Sequence, residues 1–249
     1  MAGHSHSANI AARKGAVDKK RAKAFTKLSR AIMSAVRQGG ADLDSNLKLK
    51  YAVEKARAAN MPKDNIERVV KRALGEQSGE TEELTYEGYA PGGVALIVAC
   101  LTENRARTAP DVKHIFDKHG GNLGSPGSVA FLFSFRSILV IEREGRTEDQ
   151  LLELGLEAGA DDVKSEGDFA TILGAPTEFL ALKKALEARH VKLVSAEIGY
   201  VPQTTSPVQD KDNAKKVLRL IEDLEDHDDV QNVYANFEMP DAWIAELSG

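Results

Sequence analysis

Residues 138–200 carry an order of elements that few folds accept. An apolar run of strand length at 138–143 is followed by helical spacing at 147–158. Short strands at 162–166 and 169–173, a helix at 176–190 and a strand at 192–200 complete the set. Strand, helix, strand, repeated once, is the ferredoxin-like order. A helix at 210–226 and a strand at 230–237 are then left over, and a lone strand needs a sheet to join. They are expected to return to an earlier unit. This predicts a ferredoxin-like α/β domain at residues 136–204, inserted into an α/β middle domain made of residues 82–135 and 205–240.

Ahead of the insertion, residues 84–90 read as a strand leading into the turn Pro91-Gly92-Gly93. Residues 94–101 form a continuous apolar run, 108–119 a helix, and 129–135 an alternating, aromatic-rich strand. Residues 76–83 are acidic and almost free of apolar side chains, the composition of a linker. Before them lies a domain of three helices, residues 1–77. The first runs from Ala16 to a stop at Gly39-Gly40. The second carries Leu47, Leu49, Ala52, Val53 and Ala56 and breaks at Asn60-Met61-Pro62. The third buries Ile66, Val69, Val70, Ala73 and Leu74 and turns Lys63, Arg68, Lys71 and Arg72 outward. The fold class is therefore α+β and multidomain, three helices followed by two α/β domains.

Charge divides the chain sharply. Residues 1–75 hold 17 Lys and Arg against 6 Asp and Glu, a net of +11, whereas residues 76–249 have a net of -16. A strongly basic segment in an otherwise acidic chain points to a nucleic-acid partner. In the first helix Lys20, Lys23, Lys27, Arg30 and Arg37 keep to one stripe, opposite Phe25, Leu28, Ile32, Ala35 and Val36. This stripe is expected to face the phosphate backbone, supported by Arg13 and Lys14 and by a small polar arm at residues 2–9. The second and third helices have a helix-turn-helix order, with charges aimed at phosphates, which position a protein without reading sequence. Arg105 and Arg107 are expected on an exposed loop, where two guanidinium groups could engage phosphate. The acidic cluster from Glu222 to Asp229 reads as a solvated helix end and turn that repels nucleic acid.

Other classes find no support in the residues. The one cysteine, Cys100, lies in an apolar run and fits a reducing compartment. No apolar segment approaches the roughly 20 residues needed to span a bilayer, and the expectation is a cytoplasmic protein away from membranes. The glycine-rich stretch at 119–127 lacks the Gly-Lys-Ser/Thr ending of a phosphate loop and reads as turn chemistry. No nucleophile, base and acid assemble into a catalytic set, and no ligand spacing marks a metal site. Neither enzyme activity nor a cofactor is expected.

Several strings together resemble one family. Ala8-Asn9-Ile10, Arg13-Lys14, Phe25-Thr26-Lys27-Leu28 and Asn60-Met61-Pro62-Lys63-Asp64-Asn65-Ile66 look like the N-terminal domain of the YebC/PmpR family. Residues 86–94, 103–108 and 119–129 resemble its middle domain, and Asp229-Val230-Gln231 continues the match. The resemblance implies a helical domain followed by two α/β domains, one interrupting the other. It further implies a cytoplasmic regulator of gene expression. Bacterial members are described as DNA-binding transcriptional regulators, and mitochondrial relatives as activators of translation. The alternative it leaves open is a ribosome-associated translation factor on ribosomal RNA. In either case the acidic domains would supply shape, partner contacts or a homodimer interface. This chain has His6-Ser7 where the family commonly has Lys-Trp, and Ala11-Ala12 in place of Lys-His. An aromatic able to stack on a base, worth about 1–3 kcal/mol, is missing from the arm.

Overall fold

The computed structural model describes residues 17–75 and 81–247, with side chains from Lys23 onward. Three helices open it: α1 (Val17–Gly39), α2 (Leu47–Ala58) and α3 (Lys63–Gly75). The apolar stripe of α1 is buried as its spacing predicts. Leu28, Ile32, Ala35 and Val36 join Leu49, Ala52, Val53 and Ala56 of α2, and Ile66 and Ala73 of α3, in one core. Gly40, at φ +80°, reverses the chain after α1 in the left-handed region that favours glycine. Asn46 then stitches two helix ends together. Its Nδ2 donates to Ala35 O at 2.8 Å and to Gly40 O at 2.7 Å, while Oδ1 accepts from Leu49 N at 3.0 Å. One buried amide thus satisfies groups left over at the end of α1 and the start of α2.

The first sheet contains β1 (Glu82–Ala90), β2 (Val94–Thr102), β3 (Asn122–Leu123) and β9 (Val230–Ala235). Its strands are antiparallel in the order β3-β1-β2-β9, so the C-terminal strand does return to the earlier unit. Helices α4 (Arg105–Lys118) and α7 (Lys211–Asp226) share a core with one face, joined by Ile244 of α8 (Asp241–Leu247). Strand β2 is buried on both sides. Leu96, Val98 and Cys100 pack toward the helices, and Ala95 and Ile97 toward Val129, Phe133 and Tyr234. A strand with two buried faces reads as a continuous apolar run, as residues 94–101 do.

The second sheet has the order β5-β6-β4-β7, built from β4 (Phe133–Glu142), β5 (Asp162–Glu166), β6 (Phe169–Gly174) and β7 (Leu193–Pro202). Every pairing is antiparallel, and α5 (Glu148–Ala158) and α6 (Phe179–Ala188) pack on one face around Leu139, Ile141, Leu151 and Ile172. This is the expected ferredoxin-like arrangement, and the α+β class holds for the chain. Helix α5 begins with a capping box between Thr147 and Gln150 and ends on Gly159 at φ +89°. Two short strands, β8 (Ser206–Pro207) and β10 (Phe237–Glu238), form a separate parallel pair.

Two expected elements are corrected. Residues 129–135 are not one strand. Ala130–Leu132 form a 3-10 turn, and β4 then runs unbroken from Phe133 across position 136. The cause is Glu87, whose carboxylate takes the N–H groups of Val129 and Ala130 at 2.7 and 2.8 Å and withholds them from a sheet. The second correction is α4, which begins at Arg105 rather than Thr108. Asn104 accepts from Arg107 N at 3.2 Å and caps the helix one turn earlier than Pro110 suggests, because proline marks a first turn.

Candidate nucleic-acid interface

The basic stripe of α1 meets the acidic end of α7. Lys27 Nζ donates to Glu225 O at 2.6 Å, and Arg30 Nη1 donates to Asp228 O and Asp229 Oδ1, both at 3.0 Å. Lys23 lies 3.8 Å from Asp226. Cations are favoured at a helix C-terminus, where unpaired carbonyls concentrate negative charge. The stripe is therefore not open along its length, since Lys23, Lys27 and Arg30 are half-buried against the chain itself. Nor is the acidic cluster simply solvated. Periodicity showed two complementary surfaces without showing that they meet. Burial pulls the Lys27 ammonium below its ordinary pKa, against the opposing pull of Glu225.

Asp229 is the centre of this contact, with a side chain only 2% exposed. Besides Arg30, it accepts from Arg107 Nη2 at 3.0 Å, Thr108 Oγ1 at 2.8 Å and Thr102 Oγ1 at 3.2 Å. Burial pushes its carboxyl up, but the bonds from Arg107, Thr108 and Thr102 prevail and hold it below the ordinary carboxylate value. Arg105 and Arg107 were expected together on a loop, yet both start α4 and they part in role. Both side chains are exposed, but Arg107, at 58%, reaches Asp229 with one guanidinium nitrogen.

The remaining basic positions lie elsewhere. Arg37 is half-buried near the end of α1, and Lys20 belongs to α1 but its side chain lies outside the described residues, as do Arg13 and Lys14. On α3, Arg68 and Lys71 are exposed, and Lys63 makes an exposed pair with Glu67 at 3.7 Å. A groove of about 370 Å³ between α2 and α3 is lined by buried Leu49, Val53 and Ile66 together with Arg57, Lys63 and Lys71. Lys63, Arg68 and Lys71 are legible from the i, i+3 and i+4 spacing of α3, behind the longer stripe of α1.

Around the glycine-rich stretch, Glu87 Oε1 accepts from Gly127 N at 2.7 Å, and Oε2 serves Val129 and Ala130. These three N–H groups overcome its burial and lower its pKa. Just beyond the loop stands Phe131, 67% exposed, which the sequence hid by resembling the interior of a strand. Cys100 is a buried core thiol, pushed up to about 12 chiefly by burial. Alkylation with iodoacetamide is expected only on unfolding; rapid labelling of the folded protein at neutral pH would contradict its place in the core.

Comparison with known proteins accounts for nearly the whole chain. A family model of the TACO1/YebC protein N-terminal domain matches residues 5–76, and one of the TACO1/YebC second and third domain matches residues 81–237. A protein of Syntrophobacter fumaroxidans, named probable transcriptional regulatory protein, is 49% identical over 249 residues, covering 100% of each chain. A protein of the same name from Rubrobacter xylanophilus is 46% identical over 251 residues, again covering 100% of each. The crystal structure of a conserved hypothetical protein from Aquifex aeolicus is similar at a TM-score of 0.79 and 43% identity, over 90% of this chain and 92% of that one. With both family models matched in chain order, this protein belongs to the TACO1/YebC family.

Proposed function

We propose that the protein is a nucleic-acid-binding regulator of gene expression, acting by binding rather than by catalysis. Its helical domain holds the phosphate backbone, and the names of its relatives favour a transcriptional role, for which the polymer would be DNA. The observation that carries this reading is the net +11 of residues 1–75, combined with Arg68 and Lys71 standing exposed on α3. Lys23, Lys27 and Arg30 spend their charge on the end of α7 in this conformation, so phosphate contact falls to α3, to Lys20, Arg37 and the arm with Arg13 and Lys14, and to Arg105. Contacts of this kind position a protein on a polymer and leave sequence largely unread.

A second reading, ribosomal RNA with a role in translation, is favoured by the exposed ring of Phe131. Unpaired bases of RNA stack on aromatic side chains, and such stacking tolerates any sequence. Sedimentation of a DNase-treated lysate near physiological salt separates the two, since co-migration with ribosomes or a subunit supports RNA and absence from them supports DNA.

The phosphate contacts themselves have a sharper test. Replacing Arg68 and Lys71 with alanine is expected to flatten the salt dependence of duplex DNA binding by roughly 0.9 units of log–log slope per lost contact. Titration at several salt concentrations measures this, and an unchanged slope removes α3 from the interface. Replacing Lys27 should leave the slope alone.

A further inference from the structure

We propose that the cleft between the helical layer and the two sheets receives one unstacked nucleotide of a bound single strand, an inference that rests on the nucleic-acid function above. The cleft has a volume of about 530 Å³. That lies within the roughly 300–1,000 Å³ of small-ligand sites and has room for a base, its sugar and a phosphate.

The walls suit a base. Tyr51 comes from α2, Phe135 from β4 and Tyr200 from β7, so the helical layer and the second sheet both contribute aromatic rings. Phe135 remains 51% exposed although its ring lies 5.0 Å from that of Tyr200. Folding leaves this apolar face partly uncovered, and aromatic faces hold bases by stacking whatever the sequence. They would serve in place of the aromatic that the N-terminal arm lacks.

The polar lining points the same way. The side-chain nitrogen of Gln231 is buried and has no hydrogen-bond partner. Native proteins rarely leave a buried donor unmet, and such a group marks a place where something else is meant to bind. Lys27 and Lys55 also line the cleft, donating to Glu225 O and Asn232 Oδ1 respectively. An ammonium group carries three donors, so capacity remains on both. The carboxylate at the same cleft, Glu83, is already paired with Lys48. The buried group left without a partner is a donor, as are the remaining N–H groups of Lys27 and Lys55, and donors match base carbonyls, ring nitrogens and phosphate oxygens. Aromatic faces, a primary amide and ammonium groups meet the three chemically distinct parts of one nucleotide.

The test uses the full-length protein and a single-stranded oligonucleotide carrying one 5-iodouracil, which forms photo-adducts with aromatic side chains that it touches. Adducts are expected on Phe135, Tyr200 or Tyr51 by peptide mapping. Phe135→Ala should weaken single-strand binding about 5- to 150-fold while leaving affinity for a duplex of equal length unchanged. Gln231→Met should also weaken it, yet melt at the same or a higher temperature, because the substitution removes an unmet donor. A merely structural glutamine would lower the melting temperature instead. If the native protein binds neither strand nor duplex, the nucleic-acid function fails and this assignment with it. If it binds, but adducts map elsewhere and both variants bind normally, the cleft assignment alone is overturned. Competition by free uridine monophosphate without any strand adduct in the cleft would mark a small-molecule site and likewise overturn it.

Discussion

Replacing Asp229 with alanine is expected to lower the unfolding free energy by about 3 kcal/mol. Removing one partner from a buried ion pair costs roughly 3–5 kcal/mol, because the other charge is left uncompensated. Here the arginines are 35% and 58% exposed, and water takes over part of their solvation, so the lower end of that range applies. The hydroxyls of Thr102 and Thr108 are buried and lose their charged acceptor, leaving them each other and Asn104 O. Urea unfolding of Asp229→Ala measures the cost, and a change below about 1 kcal/mol would show that the contact is peripheral. Hydrogen exchange should locate the damage. Amides of α1 around Lys27 and Arg30 should lose protection, because this contact fastens the helical layer to α7.

The same carboxylate sets an acid limit on stability. The folded-state pKa of Asp229 lies below its ordinary 3.8, so the unfolded chain binds the proton more readily. Its contribution is complete above that ordinary value and is lost as pH falls through the lower folded value. Asp223, held down by hydrogen bonds from Lys118 and His119, acts in the same sense, as does Glu54 beside Lys183. Melting temperature should therefore fall on acidification below pH about 4, and fall less steeply in Asp229→Ala than in the native protein. Parallel curves would refute this assignment of the acid response.

Glu87→Gln is expected to cost about 2–4 kcal/mol, a large loss for a change of one atom. Both carboxylate oxygens accept, one from Gly127 and the other from Val129 and Ala130. A glutamine can keep its oxygen toward Val129 and Ala130 only by turning an NH2 toward the N–H of Gly127. Two donors then face each other in a buried place. The loop from Gly124 to Ala130 should loosen first, carrying Phe131 with it. Thermal unfolding and exchange within that loop measure the effect, and a native melting temperature in Glu87→Gln would show that the loop holds itself.

Element types were legible where spacing alone decides them. The stripe Leu28, Ile32, Ala35 and Val36 is buried as written, and the ferredoxin-like order of β4 to β7 follows from alternating runs and turns. Errors fell where a distant side chain overrode the local pattern. Val129 and Ala130 have the composition of a strand, but a carboxylate some 40 residues earlier captures their N–H groups. Arg107 reads as a loop cation, but a helix start aims its guanidinium at Asp229 while the side chain stays 58% exposed. The exposure of Phe131 has the same origin, since it depends on that captured loop.

By itself the sequence determined the α+β class, the return of strand β9 to the first sheet, and the concentration of positive charge in residues 1–75. These follow from periodicity, element order and counting, which need no knowledge of what lies across a gap. Only the tertiary structure decided that Lys27 and Arg30 lean on the end of α7, that Arg105 and Arg107 separate, and that Tyr51, Phe135 and Tyr200 surround one cleft. Such pairings join residues far apart in the chain, and charge patterning states the sign of a surface without naming its partner. The cations of α1 and the acids of α7 attract as any opposite charges do, and it is the packing of three layers that brings them within hydrogen-bond reach.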